Sequence, residues 1–145
     1  MQIKIKKLRE NATLPKYQTT GAAGFDFHAA ISEPEILKPN ERLAITTGLS
    51  MEIPEGFALN IYSRSGLSLK HGIAMVNGVG LIDADYRGEI HILLINHSRE
   101  DFIVEPDMRI AQGVIFKYES AEWSLADKLD ETERGENGFG STGSK

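Results

Sequence analysis

The chain has 145 residues, 41% of them hydrophobic and 26% charged, which suits a single soluble globular domain and is too short for two. A net charge of -5 argues against a nucleic-acid polymer as partner, because such binding rests on clustered Lys and Arg. The absence of cysteine removes disulfides and thiolate zinc sites, and no stretch is apolar enough for a signal peptide or membrane span, so cytoplasmic residence is the default.

Alternation with period two begins at once, with Ile3 and Ile5 against Lys4 and Lys6, and continues with Phe25, Phe27 and Ala29 against Asp26 and His28. The same beat returns in Leu43, Ile45, Thr47 and Leu49, and in Phe57, Leu59 and Ile61. These runs predict half-buried strands. Ser65 to His71 is the first stretch that could be helical, and Ala121 to Leu129 is the second. Between them, Ile90 to Ile95 and Val114 to Phe116 are apolar on both faces, which fits strands covered by a second sheet or by another subunit. Turn chemistry separates the runs at Glu33-Pro34, Pro39-Asn40, Pro54-Glu55-Gly56, Asn77-Gly78 and Glu105-Pro106-Asp107. Many short strands with regular turns predict an all-β sandwich or barrel.

The tail from Arg134 to Gly143 sets an arginine, one aromatic ring and two hydroxyls among glycines. Ordering so much glycine is entropically costly, so an external ligand is the natural organiser. Arg, Ser, Thr and approachable glycine amides suit phosphate oxygens, and Phe139 offers a flat face to a planar ring. Taken alone, a frayed polar terminus explains the tail more plainly. Gly138 to Gly143 spells the dinucleotide fingerprint GxGxxG, but only two residues follow where a helix is required. No P-loop motif occurs, and the calcium-loop-like start at Asp83 fails at its fifth and twelfth positions, Arg87 and Leu94. His28, His71, His91 and His97 lack zinc-site spacing.

Three internal segments carry chemistry. Asn77 to Gly88 reads as a glycine-rich apolar hairpin whose backbone near Gly78 and Gly80 is open to a ligand, with Asp83 able to hold a water and Tyr86 a sugar. A tight turn with a capping Asp83 and a solvated Asp85 accounts for the same letters equally well. Tyr62 to Ser68 leaves a strand and opens a short helical stretch, so its hydroxyls, amides and Arg64 can face an anion. Arg109-Ile110-Ala111-Gln112 is either a site strand or an exposed edge face.

Together these segments, with Ala23-Gly24-Phe25-Asp26-Phe27, resemble the five motifs of the trimeric all-β dUTP nucleotidohydrolases (dUTPases), over residues 22 to 143. The third motif, Gly80 to Gly88, and the fifth, Arg134 to Gly143, are the specific ones. The resemblance implies a distorted jelly-roll-like β-barrel over residues 1–133 and a glycine-rich lid over 134–145. It implies a homotrimer whose active sites draw on all three subunits, with each C-terminal arm reaching over a neighbour. By the same resemblance Asp83 is the general base that activates water against the α-phosphorus of dUTP, giving dUMP and pyrophosphate. Tyr86 packs under the deoxyribose, and Asn77, Gly80, Leu81 and Ile82 read uracil. Arg64, Ser65, Gly66 and Gln112 line the phosphate path. Phe139 stacks on the base, with Arg134, Gly140, Ser141 and Thr142 around the phosphates. Mg²⁺ is held chiefly by the triphosphate, and Asp26 meets it only through water.

Two positions depart from the family pattern: Asn137 replaces a usual glycine, and Asn tolerates left-handed backbone. His91 stands where many relatives place a longer, substrate-contacting side chain, often Lys. The rival within the same fold is a dCTP deaminase, which needs a catalytic glutamate near the hairpin, and Glu89 is close. The rival from another class is a binding protein that keeps the fold without the reaction.

Overall fold

The computed structural model describes residues 1–138. Its elements are nearly all strands, as the alternation predicts: β1 (Lys4–Lys7), β2 (Phe25–His28), β3 (Glu35–Leu37), β4 (Arg42–Thr46), β5 (Leu49–Glu52) and β6 (Phe57–Ser63) precede the single helix α1 (Ser65–His71). After it come β7 (Ile73–Met75), β8 (Gly80–Ile82), β9 (His91–Asn96), β10 (Phe102–Val104) and β11 (Arg109–Lys117).

All pairings are antiparallel. A four-stranded sheet in the order β2-β11-β6-β8 faces a three-stranded sheet β4-β9-β7, and two short ribbons, β1-β5 and β3-β10, complete the barrel-like body. Side chains alternate across each strand, so β9 sends Ile92, Leu94 and Asn96 inward and leaves His91 and Leu93 outside. One contiguous core results, with Phe27, Leu37, Ile45, Leu49, Leu59, Ile61, Ile73, Ile90, Leu94 and Ile110 fully buried. Asn96 is buried among them without cost, since its amide donates to Leu37 O and Glu100 O at 2.8 Å and its Oδ1 accepts from Ser98 N.

Four sequence expectations change. Ala121 to Leu129 forms no helix: residues 118–138 run without strand or helix, and Trp123 and Leu129 are 94% and 82% exposed. Those apolar side chains find no partner surface within the protomer, and a short helix without one has nothing to stabilise it. β1 lies wholly exposed rather than half-buried. The segment around Asn77 is not a two-stranded hairpin, because β7 pairs with β9 in one sheet and β8 with β6 in the other. It is a corner that passes the chain between sheets, and Gly78 takes the left-handed φ of 69° that the turn demands. Finally, Arg109 to Gln112 is no edge, since β11 lies between β2 and β6.

Candidate active site

Several residues expected to face an anion converge where β2, β11 and the end of β6 meet. Register places Gln112 opposite Asp26 on β2 and opposite Tyr62 on β6, and Ala111 opposite Ser63, one residue before Arg64. Positions 109 and 112 differ by an odd number, so strict alternation would put them on opposite faces. A bulge between Arg109 and Ala111 shifts the phase by one residue and aims both at Asp26.

Asp26 is the organiser of this end. It is only 2% exposed, and a buried carboxylate must be neutralised locally. Its Oδ2 accepts from Arg109 Nη1 at 3.1 Å, while Oδ1 lies 3.4 Å from Arg64 Nε and 3.5 Å from Gln112 Nε2. Arg64 Nη1 also donates to Arg109 O at 2.8 Å. Two guanidinium groups against one carboxylate leave a net positive charge, and both arginines stay partly open to solvent. That is a surface suited to an anion. Ser65 and Gly66 stand exposed beside it at the start of α1, whose far end closes on Gly72 with φ 68°.

The acid and the phenol lie on a different rim. Asp83 to Tyr86 is a turn closed by Tyr86 N donating to Asp83 O at 3.2 Å. Arg87 braces it, its Nη1 donating to Ala84 O at 2.6 Å and Tyr86 O at 3.0 Å. Asp83 opens onto a hollow of about 570 Å³ shared with Glu55, Asp85, Arg87 and Tyr118. A larger hollow, about 920 Å³, lies elsewhere between Arg9–Asn11 and Ala30–Glu35 and contains none of these residues. Ile82 ends β8, Leu81 is exposed, and Gly80 is buried where any Cβ would stand 3.2 Å from Ile61 Cβ and 3.7 Å from Asn77 Nδ2.

Tyr86 Oη donates to Glu89 O at 2.9 Å, and His91 Nδ1 lies 3.1 Å from the same carbonyl, which places His91 beside the phenol. The Glu89 side chain is spoken for: its Oε1 accepts from Thr46 Oγ1, from Gly48 N at 3.0 Å and from Arg9 Nε at 3.2 Å. Burial pushes its carboxyl up, but the donors from Thr46, Arg9 and Gly48 outweigh it and hold the group below the usual glutamate range. Three donors on Oε1 give the Glu89 carboxylate a part in tying distant segments together, while its Oε2 lies 3.8 Å from His91 Nε2.

The two rims are far apart within one protomer. Asp83 follows Ile82, which pairs with Leu59, whereas Arg64 lies five residues further along the chain of β6, a separation of roughly 16 Å at about 3.3 Å per residue. Arg134 is exposed in the extended arm, its Nε donating to Asn137 O at 2.9 Å, and the left-handed residue there is Gly135 rather than Asn137. Phe139, Gly140, Ser141 and Thr142 lie outside the described residues. Sequence reasoning placed Arg109 on a possible site strand and weighed Glu89 only for the deaminase rival, and it foresaw neither the Arg109–Asp26 pair nor the Glu89 cluster. The first was hidden by the bulge, the second because its partners are 41 to 80 residues away in the chain.

Residues 10–143 match the family model described as dUTPase. The chain belongs to the dUTPase family. Among its relatives, the deoxyuridine 5'-triphosphate nucleotidohydrolase of Orientia tsutsugamushi (strain Boryong) is 49% identical over 148 residues, covering 100% of each chain. That of Nautilia profundicola is 53% identical over 143 residues and 99% of each chain. The dUTPase of Staphylococcus bacteriophage 80alpha, solved with dUPNHPP, superposes with a TM-score of 0.85 at 29% identity, covering 98% of each chain. A mutant dUTPase of phage phi11 of S. aureus, described with a structural Mg(II) ion, has a TM-score of 0.80 at 24% identity over 89% of this chain and 99% of that one, a likeness of fold alone. Membership in the dUTPase family brings the activity class with it, hydrolysis of dUTP, and the all-β barrel is the fold of the solved dUTPases.

Proposed function

We propose that the protein hydrolyses dUTP to dUMP and pyrophosphate at composite sites, each assembled from the Asp83 rim of one subunit and the Asp26–Arg64–Arg109–Gln112 rim of another in a homotrimer. The observation that carries this reading is the register on β6, which sets Ile82 beside Leu59 and Arg64 five residues further on, roughly 16 Å of strand, since a base must come within hydrogen-bond reach of the water it deprotonates while the arginines hold phosphates of the same nucleotide. The exposed arm, with Trp123, Leu125 and Leu129 in solvent, and the uncovered apolar outer face of β4-β9-β7 at Ala44, Ala74, Val76 and Leu93 favour further copies of the chain as its partners.

In this reading Asp83 takes a proton from a water whose oxygen forms the new bond to the α-phosphorus. The bond from that phosphorus to the bridging oxygen breaks, and pyrophosphate leaves with the electron pair. Arg64, Arg109, Ser65, Gly66 and Gln112 hold the departing phosphates, and their positive charge favours the charge that develops there. Asn77 and the backbone of Gly80, Leu81 and Ile82 read uracil at the corner between the sheets. Tyr86 lies against the deoxyribose, with His91 next to it. The arm closes with Arg134 and, beyond the described residues, Phe139, Gly140, Ser141 and Thr142, excluding water.

Among the described residues no three His, Asp or Glu side chains converge as a metal site, and both oxygens of Asp26 already face protein donors. The donor chemistry therefore fits Mg²⁺ carried by the triphosphate, with Asp26 reaching it only through water. When bound, the ion supplies charge neutralisation on the phosphates. A positioned general base contributes only about 10²–10⁴-fold, so the arginines, the metal and closure supply the larger share. The product dUMP feeds thymidylate synthesis, and removal of dUTP keeps uracil out of DNA.

Asp83→Asn tests the assignment. Titration calorimetry should find dUTP still bound while pyrophosphate release is nearly lost. A variant that turns over at the wild-type rate removes Asp83 from the mechanism.

A further inference from the structure

Nothing packs around Tyr86 tightly enough to fix it: the side chain is 43% exposed and stands on a turn. Two contacts hold it instead. Its hydroxyl donates to Glu89 O at 2.9 Å, and Glu89 is itself anchored by Thr46, Gly48 and Arg9. The second contact is with a residue that has no side chain. A Cβ built on Gly88 would lie 2.3 Å from Tyr86 Oη, 2.5 Å from Cζ and 2.9 Å from Cε2. The phenol folds back over its own turn and occupies the space where any other residue would carry a side chain.

Gly88 is not there for its backbone. Among the described residues the left-handed glycines are Gly48, Gly56, Gly72, Gly78 and Gly135, and Gly88 is not among them. No positive φ therefore demands glycine at 88, and the three atoms nearest to an added Cβ all belong to the Tyr86 phenol.

We propose that Gly88 is a specificity-determining positioning residue: by leaving room for the phenol, it fixes the plane of Tyr86 against the sugar and thereby sets rejection of nucleotides bearing a 2′-hydroxyl. The inference rests on the proposed placement of Tyr86 under the deoxyribose. A methyl group at position 88 must push the ring off its seat. Because the ring is half in solvent, it can move without unpacking the core, and the wall it offers to C2′ moves with it.

The test is the ratio of kcat/KM for dUTP to that for UTP in wild type, Gly88→Ala, Tyr86→Ala and the double variant, beside thermal unfolding of each. Gly88→Ala is expected to melt close to wild type and to lose selectivity by about tenfold or more, within the range that a single small group commands in a binding pocket. Tyr86→Ala should lose at least as much. The double variant should lose no more than Tyr86→Ala, because both changes remove the same wall. If Gly88→Ala keeps wild-type selectivity while Tyr86→Ala loses it, the role of Gly88 is refuted and the sugar contact of Tyr86 stands. If Tyr86→Ala also keeps it, the sugar contact itself is wrong, and the inference falls with it. A Gly88→Ala chain that no longer folds refutes the claim that the ring absorbs the added methyl.

Discussion

The Asp26 and Glu89 carboxylates are each held by donors from distant segments, and the proposed reaction uses neither as its base. Asp26 gathers Arg64, Arg109 and Gln112 into one positive rim, so its own negative charge is what allows two guanidinium groups to sit side by side. Glu89 joins the N-terminal segment at Arg9, the turn at Gly48 and the loop that carries Asp83 and Tyr86. The donors keep its folded carboxyl below the ordinary glutamate range, so as pH falls the unfolded chain takes up its proton first. Its stabilising contribution is complete above the ordinary range and disappears as pH drops through the lower, folded value. Glu89→Gln is therefore expected to melt lower than wild type at neutral pH, with the gap narrowing from roughly pH 5 toward pH 3. Melting curves across that interval give the answer, and a gap that widens in acid contradicts the assignment. At this scale, part of the arrangement was legible in the sequence: Arg64 and Gln112 were both expected on the phosphate path, and the structure brings them together at Asp26, while Asp83 lies on a separate rim. Arg109 and Glu89 were not legible, because their roles come from a bulge and from partners far off in the chain.

At the scale of elements, period two was sufficient for β2, β4 and β6, whereas β9, read from its continuous apolar run as covered on both faces, buries one face and leaves His91 and Leu93 exposed. Periodicity failed where no core was offered. Ala121 to Leu129 could have been helical, yet with Trp123, Leu125 and Leu129 in solvent the segment forms neither helix nor strand. The corner at Asn77–Gly80 was mistaken for a hairpin because turn residues signal a reversal but not which strands pair afterwards. The arm's exposure leads to a direct expectation. Among the described residues from Arg134 onward there is no strand and no buried side chain, so a protein truncated before Arg134 should unfold at the same urea concentration as the whole one. Its turnover of dUTP should fall by orders of magnitude, because closure over the nucleotide is lost. A truncated protein with normal kcat would show that the arm is no lid.

At the scale of the whole molecule, one protomer sets the Asp83 rim and the Asp26–Arg64–Arg109–Gln112 rim toward opposite ends of one strand. Ile82 meets Leu59 near one end of β6, and Arg64 follows its other end. No pattern in the sequence reveals this separation; it needs the register of β8 and β11 on β6, and only the family resemblance pointed to shared sites beforehand. Exposed apolar groups on the arm and on the outer face of β4-β9-β7 are then the natural seats of neighbouring copies. Subunit mixing measures the point directly. Asp83→Asn and Arg64→Ala, each strongly impaired alone and each checked to fold, are unfolded together in equal amounts, refolded and assayed for pyrophosphate release from dUTP. Random assortment around a closed ring should give about a quarter of the sites both an intact base and an intact arginine, and activity should return in proportion. A mixture as inactive as its two parents would mean that Asp83 and Arg64 of the same chain serve the same nucleotide, and the composite site would be wrong.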